Sequence, residues 1–365
     1  MIQNAIAFSK TDKTNFIKTL NKKVNSYFKD NHIKRTGNRK LYLKTVIIFS
    51  VFLVPFTLIL TLNLPQWVLL LMSILVGIGM AGVGMNVMHD GNHGTFSSKK
   101  WVNKLMGSSI YILAGNVYNW KVQHNVLHHT YTNIPGYDED IDAGRIIRFS
   151  SQSKWFKIHK FQKYYSFFLY GLLTINWAIT TDFIQMHTYL KRKLSCGTIP
   201  NPVKEWTLLI TTKIAYYLLW IVLPLVVLDL AWWKVLIGFF VMHYTAGIIL
   251  SIIFQLAHVV PKTEMPIPDK AGNLDHTWAV HQLYTTANFA PNNKFISWYA
   301  GGLNHQVEHH IFPNISHIHY QKIASFVKET ASEFNLPYNE YQTMRSAVIE
   351  HYKLLKSLGK KPSYA

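Results

Sequence analysis

Residues 67–93 read WVLLLMSILVGIGMAGVGMNVMHDGNH, an uncharged apolar run that ends directly in a histidine pair. A helix rises about 1.5 Å per residue, so Trp67–Met88 is long enough to cross a hydrocarbon core of roughly 30 Å. His89 and His93 follow at i and i+4, which places both imidazoles on one helical face. The stretch therefore reads as a bilayer span that delivers metal-ligand side chains to the water boundary.

Working outward, Leu43–Leu64 is a second apolar run, and only Pro65-Gln66 separates the two, enough for a tight helical hairpin. A further pair, Leu208–Leu228 and Trp232–Ala257, turns around Asp229. Trp67, Trp232 and Trp233 stand where an aromatic belt is expected, and Lys213 and Lys234 are close enough to the span ends to snorkel. Residues 1–44 carry eleven Lys or Arg, whereas the two hairpin turns carry almost none. The positive-inside rule then puts the amino terminus, and the chain after each hairpin, in the cytosol.

Two histidine-rich stretches remain, HNVLHH at 124–129 and HQVEHH at 305–310. With the first pair they supply eight imidazoles (His89, His93, His124, His128, His129, His305, His309 and His310), more than one ordinary metal site uses. A centre of two metals shared by the three clusters constrains the topology. If either Trp101–Val117 or Tyr164–Phe183 crossed alone, the clusters would be divided between opposite sides. Both are therefore expected at the interface, which their interruptions by Lys104, Asn116, Asn176 and Asp182 suit. The expected fold is an all-α integral membrane protein, four transmembrane helices in two hairpins with a cytosolic histidine-rich helical cap. Along the chain this gives a basic segment at 1–42, a membrane domain at 43–340 and a tail at 341–365.

Composition narrows the function classes. A formal net charge of +19 points to anionic partners, and with four bilayer-length runs it favours lipid headgroups or an acidic protein over nucleic acid. Cys196 is the single cysteine, so neither an intrachain disulfide nor a cysteine-ligated zinc or iron–sulfur site can form. No CxxCH haem motif and no flavin or nucleotide fingerprint occurs. The first forty residues are too polar for a signal peptide.

HDGNHG after a hydrophobic hairpin, WKVQHNVLHHTYTN followed by GYDEDI, and GGLNHQVEHHIFP resemble the membrane fatty acid desaturases, closest to the front-end acyl-lipid and acyl-CoA branch. WAVHQLYTTANF and HYQKIASFVKE extend the resemblance over nearly all of residues 40–340. It implies a non-haem di-iron centre, O2 as co-substrate and removal of two hydrogens from a fatty acyl chain carried by CoA or lipid. Ligand chemistry agrees, since imidazole suits iron and redox-inert zinc cannot oxidise an alkyl C–H bond. Asp90, Asp138, Glu139, Asp140, Asp142 and Glu308 are candidate carboxylates behind the imidazoles.

The third cluster is open to two readings. Family resemblance favours Gln306 in QxxHH, whereas His305 repeats the HxxxHH spacing of the second cluster and is the better iron ligand. Related acyl-CoA desaturases use a histidine at the cytosolic end of the fourth span, a role that falls here on His258. His243, mid-span, is expected to be a neutral packed group, His281 to support the site, and His317 and His319 to lie on the surface. No HPGG motif of a fused cytochrome b5 is found, so electrons are expected from a separate ferredoxin or cytochrome b5 with its reductase. The expected location is a multi-pass membrane protein with its active site on the cytosolic side, a bacterial inner membrane ahead of the endoplasmic reticulum. A di-iron hydroxylase, epoxygenase or ketolase shares the ligand spacing, and a metal transporter would need carboxylates inside the spans, which scarcely occur.

Overall fold

A computed structural model describes residues 6–10 and 15–362. Among the described residues, four helices are long and apolar enough to cross a membrane: Arg39–Thr61, Gln66–His93, Pro202–Val227 and Trp232–His258. The protein is thus a mostly helical membrane protein, as the apolar runs require. The second span is one continuous helix through HDGNH, with a π-helical turn at Gly84–Met88 immediately before the histidine pair. π-Turns shift the helical register and recur at functional sites.

The chain divides into two compact units. One comprises Gly37–Val126 and Ser166–Ile252 and contains the first hairpin and most of the second. Its spans turn Leu43, Val46, Val54, Ile214 and Val226 outward, the exposed apolar faces that a bilayer covers. Small residues let helices approach closely. At Gly79 a Cβ would sit 2.4 Å from the Phe52 Cα, which shows how nearly the first two spans touch backbone to backbone. The stretch 101–117 contains no span-length helix, being broken into Lys100–Gly107 and a 3-10 turn at Ser108–Leu113. Tyr164–Phe183 falls within a helix pair, Lys157–Tyr170 and Leu173–Lys191, bent by 70°.

Two intramembrane groups distinguish themselves. His243 is packed as expected, its ring between the Tyr216 hydroxyl and Thr174 Oγ1 at 2.9 Å. Lys213 does not snorkel: it is 4% exposed, forms an ion pair with Asp182 at 2.8 Å and donates to the Ala114 and Trp177 carbonyls. A buried ammonium needs a countercharge and filled donors, and Asp182 with two carbonyls supplies both.

The other unit gathers Met1–Thr36, Leu127–Tyr165 and Ile253–Ala365. Helix Phe16–Asp30 presents Phe16, Leu20, Val24 and Phe28 at i, i+4, i+8 and i+12, one buried stripe. That stripe joins a core with Ile323, Val327 and Ala331 of helix Tyr320–Glu333 and Ala279, Val280 and Leu283 of helix Trp278–Thr285. Packing thus gathers the basic amino-terminal segment and the tail helix Met344–Leu358 into the unit that also holds the third histidine cluster.

Candidate metal centre

In the unit of the first hairpin, helix His89–His93 brings the two imidazoles to a centroid separation of 4.6 Å. His124 lies 5.2 Å from the His89 ring and 5.3 Å from the His93 ring, and ligand atoms of all three are within 4.8 Å of one another. Trp120 lies over His124 at 4.5 Å and meets His89 and His93 edge-on. The helix reaches its place because Gly91 has no side chain: a Cβ there would be 2.4 Å from the Gly107 nitrogen. Asp90 is buried, with its carboxylate 3.8 Å from His89 Nδ1.

The other unit holds two imidazole groups that share a member. His128, His258 and His310 form one and His129, His309 and His310 the other, ligand atoms again within 4.8 Å in each. Neighbouring hydrogen bonds fix the tautomers. Both Asp138 oxygens are 3.0–3.1 Å from His128 Nδ1, so that nitrogen carries the proton and the Nε2 lone pair turns away. Gln282 Oε1, 2.9 Å from His310 Nδ1, acts on His310 in the same way. The two Nε2 atoms consequently face each other at 3.2 Å, lone pair to lone pair. Two nitrogens bound at right angles to one metal at about 2.1 Å stand about 3 Å apart. Only a cation, a proton or a metal ion, satisfies both. Burial acts to lower the His128 pKa, but Asp138, through charge and hydrogen bond, and Asp140 reverse that and raise it.

His258 ends the fourth span with its ring 4.7 Å from His128 and 4.9 Å from His310. It is fully buried, and among the described residues its ring nitrogens find no partner in full hydrogen-bonding geometry, with only the Thr285 backbone and the Gln306 side chain close by, an arrangement that a metal bond would relieve. The Gln306 amide lies beside the His258 ring without reaching hydrogen-bonding geometry. His305 is buried too, yet it joins none of these groups among the described residues, and Glu308 Oε2 stands 3.7 Å from its Nδ1. Local helix geometry explains the difference. His305 is the residue before helix Gln306–Ile311, whereas Gln306 begins it and shares a face with His309 and His310 at i+3 and i+4. The HxxxHH spacing of the second cluster rides instead on a π-helical segment, Lys121–His128, whose turn is wider.

The remaining sequence candidates separate. Asp138 is fully buried and holds an imidazole, and Asp140 Oδ2 is 3.6 Å from His128 Nδ1. Glu139 sits part-exposed in the 3-10 turn Glu139–Ile141, and exposed Asp142 caps the Gly144 amide. Glu308 is held by Asn288 Nδ2 at 2.8 Å and Tyr338 Oη at 3.0 Å, its pKa pushed up to about 7 by burial. His281 contacts the Thr132 carbonyl at 2.8 Å and braces the turn after the second cluster; burial brings its pKa down to about 4. His317 and His319 are not surface groups: they are 6% and 8% exposed, with His319 edge-on to Phe28 of the amino-terminal helix. That helix covers His319, which its loop-like sequence context did not reveal.

Gln282, Tyr320 and Trp120 were not singled out in the sequence, and neither was Asn133. Asn133 is fully buried and left-handed, φ 58°. Its backbone N–H donates to Asp138 Oδ2 at 2.9 Å, while its Nδ2 donates to the carbonyls of His258, Glu264 and Thr285 at 2.9–3.1 Å. It thereby ties the carboxylate behind His128 to the end of the fourth span. Asparagine tolerates φ > 0 and carries the donors, a combination few side chains offer. Its position just after HHTYT was the available signal.

Comparison with known proteins agrees with this geometry. The family model described as Fatty acid desaturase matches residues 65–342. The sn-1 linoleoyl-lipid 6-desaturase of Arthrospira platensis is 36% identical over 95% of this chain and 93% of its own length. The enzyme of the same description from Synechocystis sp. is 36% identical over 96% and 97%. An acyl-lipid (8-3)-desaturase of Physcomitrium patens is 30% identical over 97% of this chain and 74% of its own length. The chain belongs to the fatty acid desaturase family and is a fatty acyl desaturase, an oxidoreductase of lipid metabolism.

Proposed function

We propose that this protein introduces a cis double bond into acyl chains carried on membrane lipids, using O2 and two irons bound by its imidazoles. The observation that carries the metal assignment is the pair of Nε2 lone pairs of His128 and His310, 3.2 Å apart, with orphaned His258 beside them. His89, His93, His124, His128, His129, His258, His309 and His310 are the proposed ligands. Gln306 completes the set in place of His305, because it faces His258 and starts the helix that carries His309 and His310. When bound, the irons would supply the oxidising power that an unactivated alkyl C–H bond demands.

The chain's own residues perform the rest. Asp138 and Gln282 keep protons on Nδ1 of His128 and His310, so that both Nε2 atoms remain available as donors. Asn133 keeps Asp138 and the end of the fourth span in register. Burial of His128, His129, His258, His309 and His310 would keep bulk water from that part of the site.

The electron count fixes a partner. Reduction of O2 to two waters takes four electrons; the acyl CH2–CH2 unit gives two, so two come from a carrier. With one cysteine and no haem, flavin or nucleotide motif, the sequence itself offers no store for them. A ferredoxin or cytochrome b5 with its reductase would fill that role, approaching the cytosolic side to which the positive-inside reading of the basic amino-terminal segment assigns the histidines. A lipid-linked substrate is supported by the names of the relatives, each an acyl-lipid enzyme.

Expression in a host of known lipid profile, with mass spectrometry of derivatised fatty acids, tests the reading. A new double bond in lipid-esterified chains is expected. A product heavier by one oxygen would make the protein a hydroxylase instead.

A further inference from the structure

We infer that the segment Arg145–Tyr164 is an anionic-phospholipid-binding element, a basic, apolar-edged strip that seats this unit on the charged bilayer surface. Residues 143–181 contain no Asp or Glu, yet they hold Arg145, Arg148, Lys154, Lys157, Lys160 and Lys163. Lys157–Phe161 is a 3-10 helix, in which i and i+3 eclipse, and it leads directly into helix Gln162–Tyr170. The register sorts the side chains into three stripes.

The inward stripe is His159 and Gln162. His159 Nε2 donates to the Arg145 carbonyl at 3.0 Å, and Gln162 Nε2 donates to the carbonyls of Arg148 and Leu355 at 3.1 and 2.8 Å. Arg148, itself buried, ties the same strand of chain to the Leu358 carbonyl at 2.9 Å. The segment is therefore pinned from below. The second stripe is Lys157, Lys160 and Lys163, none of them in an ion pair with another described residue. Beside it runs a third stripe, Ile158, Phe161 and Tyr164, 51%, 61% and 65% exposed.

A helix in contact with water alone needs only an inward and a polar face. An exposed apolar stripe next to a cationic one fits the boundary between acyl chains and phosphates, where lysine stems and aromatic rings lie along the apolar layer and ammonium groups reach the headgroups. The aromatic rings are already paired that way: Lys163 lies over Tyr164 at 4.7 Å and Lys160 over Trp155 at 6.0 Å. Continuity adds to this, because Lys157–Tyr170 leads into Leu173–Lys191 across a 70° bend, and the pair together is long and apolar enough to enter a bilayer. An acidic protein partner would be drawn to the lysines but would leave the Ile158–Phe161–Tyr164 edge unexplained.

The full chain, reconstituted in phosphatidylcholine bilayers with a minority of phosphatidylglycerol, tests the inference by electron spin resonance of spin-labelled lipids. Wild-type protein is expected to select phosphatidylglycerol over phosphatidylcholine about threefold, and high salt to erase most of it. Replacing Lys157, Lys160 and Lys163 by Gln together should bring selectivity close to unity. Unchanged selectivity overturns the inference, and so does a variant whose only defect is a raised KM for a reduced carrier protein, which would make this a protein-docking face. A second measurement leaves the lysines intact: a nitroxide at Phe161→Cys in a Cys196→Ser background should collide more with O2 than with a water-soluble nickel chelate. The reverse ranking would place the stripe in water and end the proposal.

Discussion

His89, His93 and His124 sit against aromatic and helical surfaces: Trp120 contacts all three rings, and their helix touches Lys100–Gly107 at the bare backbone of Gly91. In the other unit, His128, His309 and His310 each meet a named hydrogen-bond partner, respectively Asp138, Tyr320 and Gln282. Close packing is prominent around the first group, which also has the Asp90 carboxylate 3.8 Å from His89 Nδ1, and hydrogen bonds to single rings are prominent in the second. Packing holds only while volumes match, whereas a hydrogen bond fixes the tautomer and orientation of a single ring. The two regions should therefore fail differently.

Loss of an imidazole has the largest expected effect. His310 belongs to both groups of its unit, so His310→Ala should abolish turnover and release more iron than His93→Ala, which removes a member of one group. Both variants should still insert in the membrane, since neither changes the apolar surface of a span. Iron quantified beside membrane-extracted protein reads this out, and equal, undiminished iron in the two variants would erase the distinction.

Next come substitutions aimed at what holds each region. Asp138→Asn keeps the volume but weakens the hold on His128, and should lower metal affinity about 10–100-fold with little change in thermal unfolding of the metal-free protein. Gly91→Ala drives a Cβ into the Gly107 backbone and should cost about 1–3 kcal/mol by overpacking, visible as a lower unfolding temperature with and without metal. If both variants lost stability and metal in the same proportion, packing and polar positioning would not be separable here.

A smaller contrast lies within Asn133. Asn133→Gly retains the left-handed turn and loses the side-chain donors, whereas Asn133→Ala loses the donors and adds backbone strain at φ 58°. The Ala variant should be the less stable by about 1 kcal/mol, and both should hold metal equally poorly if the side chain is the element that matters. A Gly variant with wild-type metal affinity would reduce Asn133 to a turn residue.

Much of this was legible in the sequence because it depends on periodicity alone. The four spans, the i, i+4 pair at His89 and His93, and His258 at a span end follow from run length and helical spacing. What escaped depended on the partner element. Lys213 reads as a snorkelling residue until Asp182, thirty-one positions away along the chain and outside the span, is found beside it. His319 reads as surface until Phe28 of helix Phe16–Asp30 is found edge-on to its ring. His305 and Gln306 could not be ranked because the same spacing means different things on an α-helix and on a π-helix.

The central claim is that these imidazoles bind two irons, and elemental analysis of the purified chain after iron-replete expression tests it most directly. The account predicts close to two irons per chain, with zinc substoichiometric. A single iron per chain, no iron at all, or stoichiometric zinc in its place would contradict it.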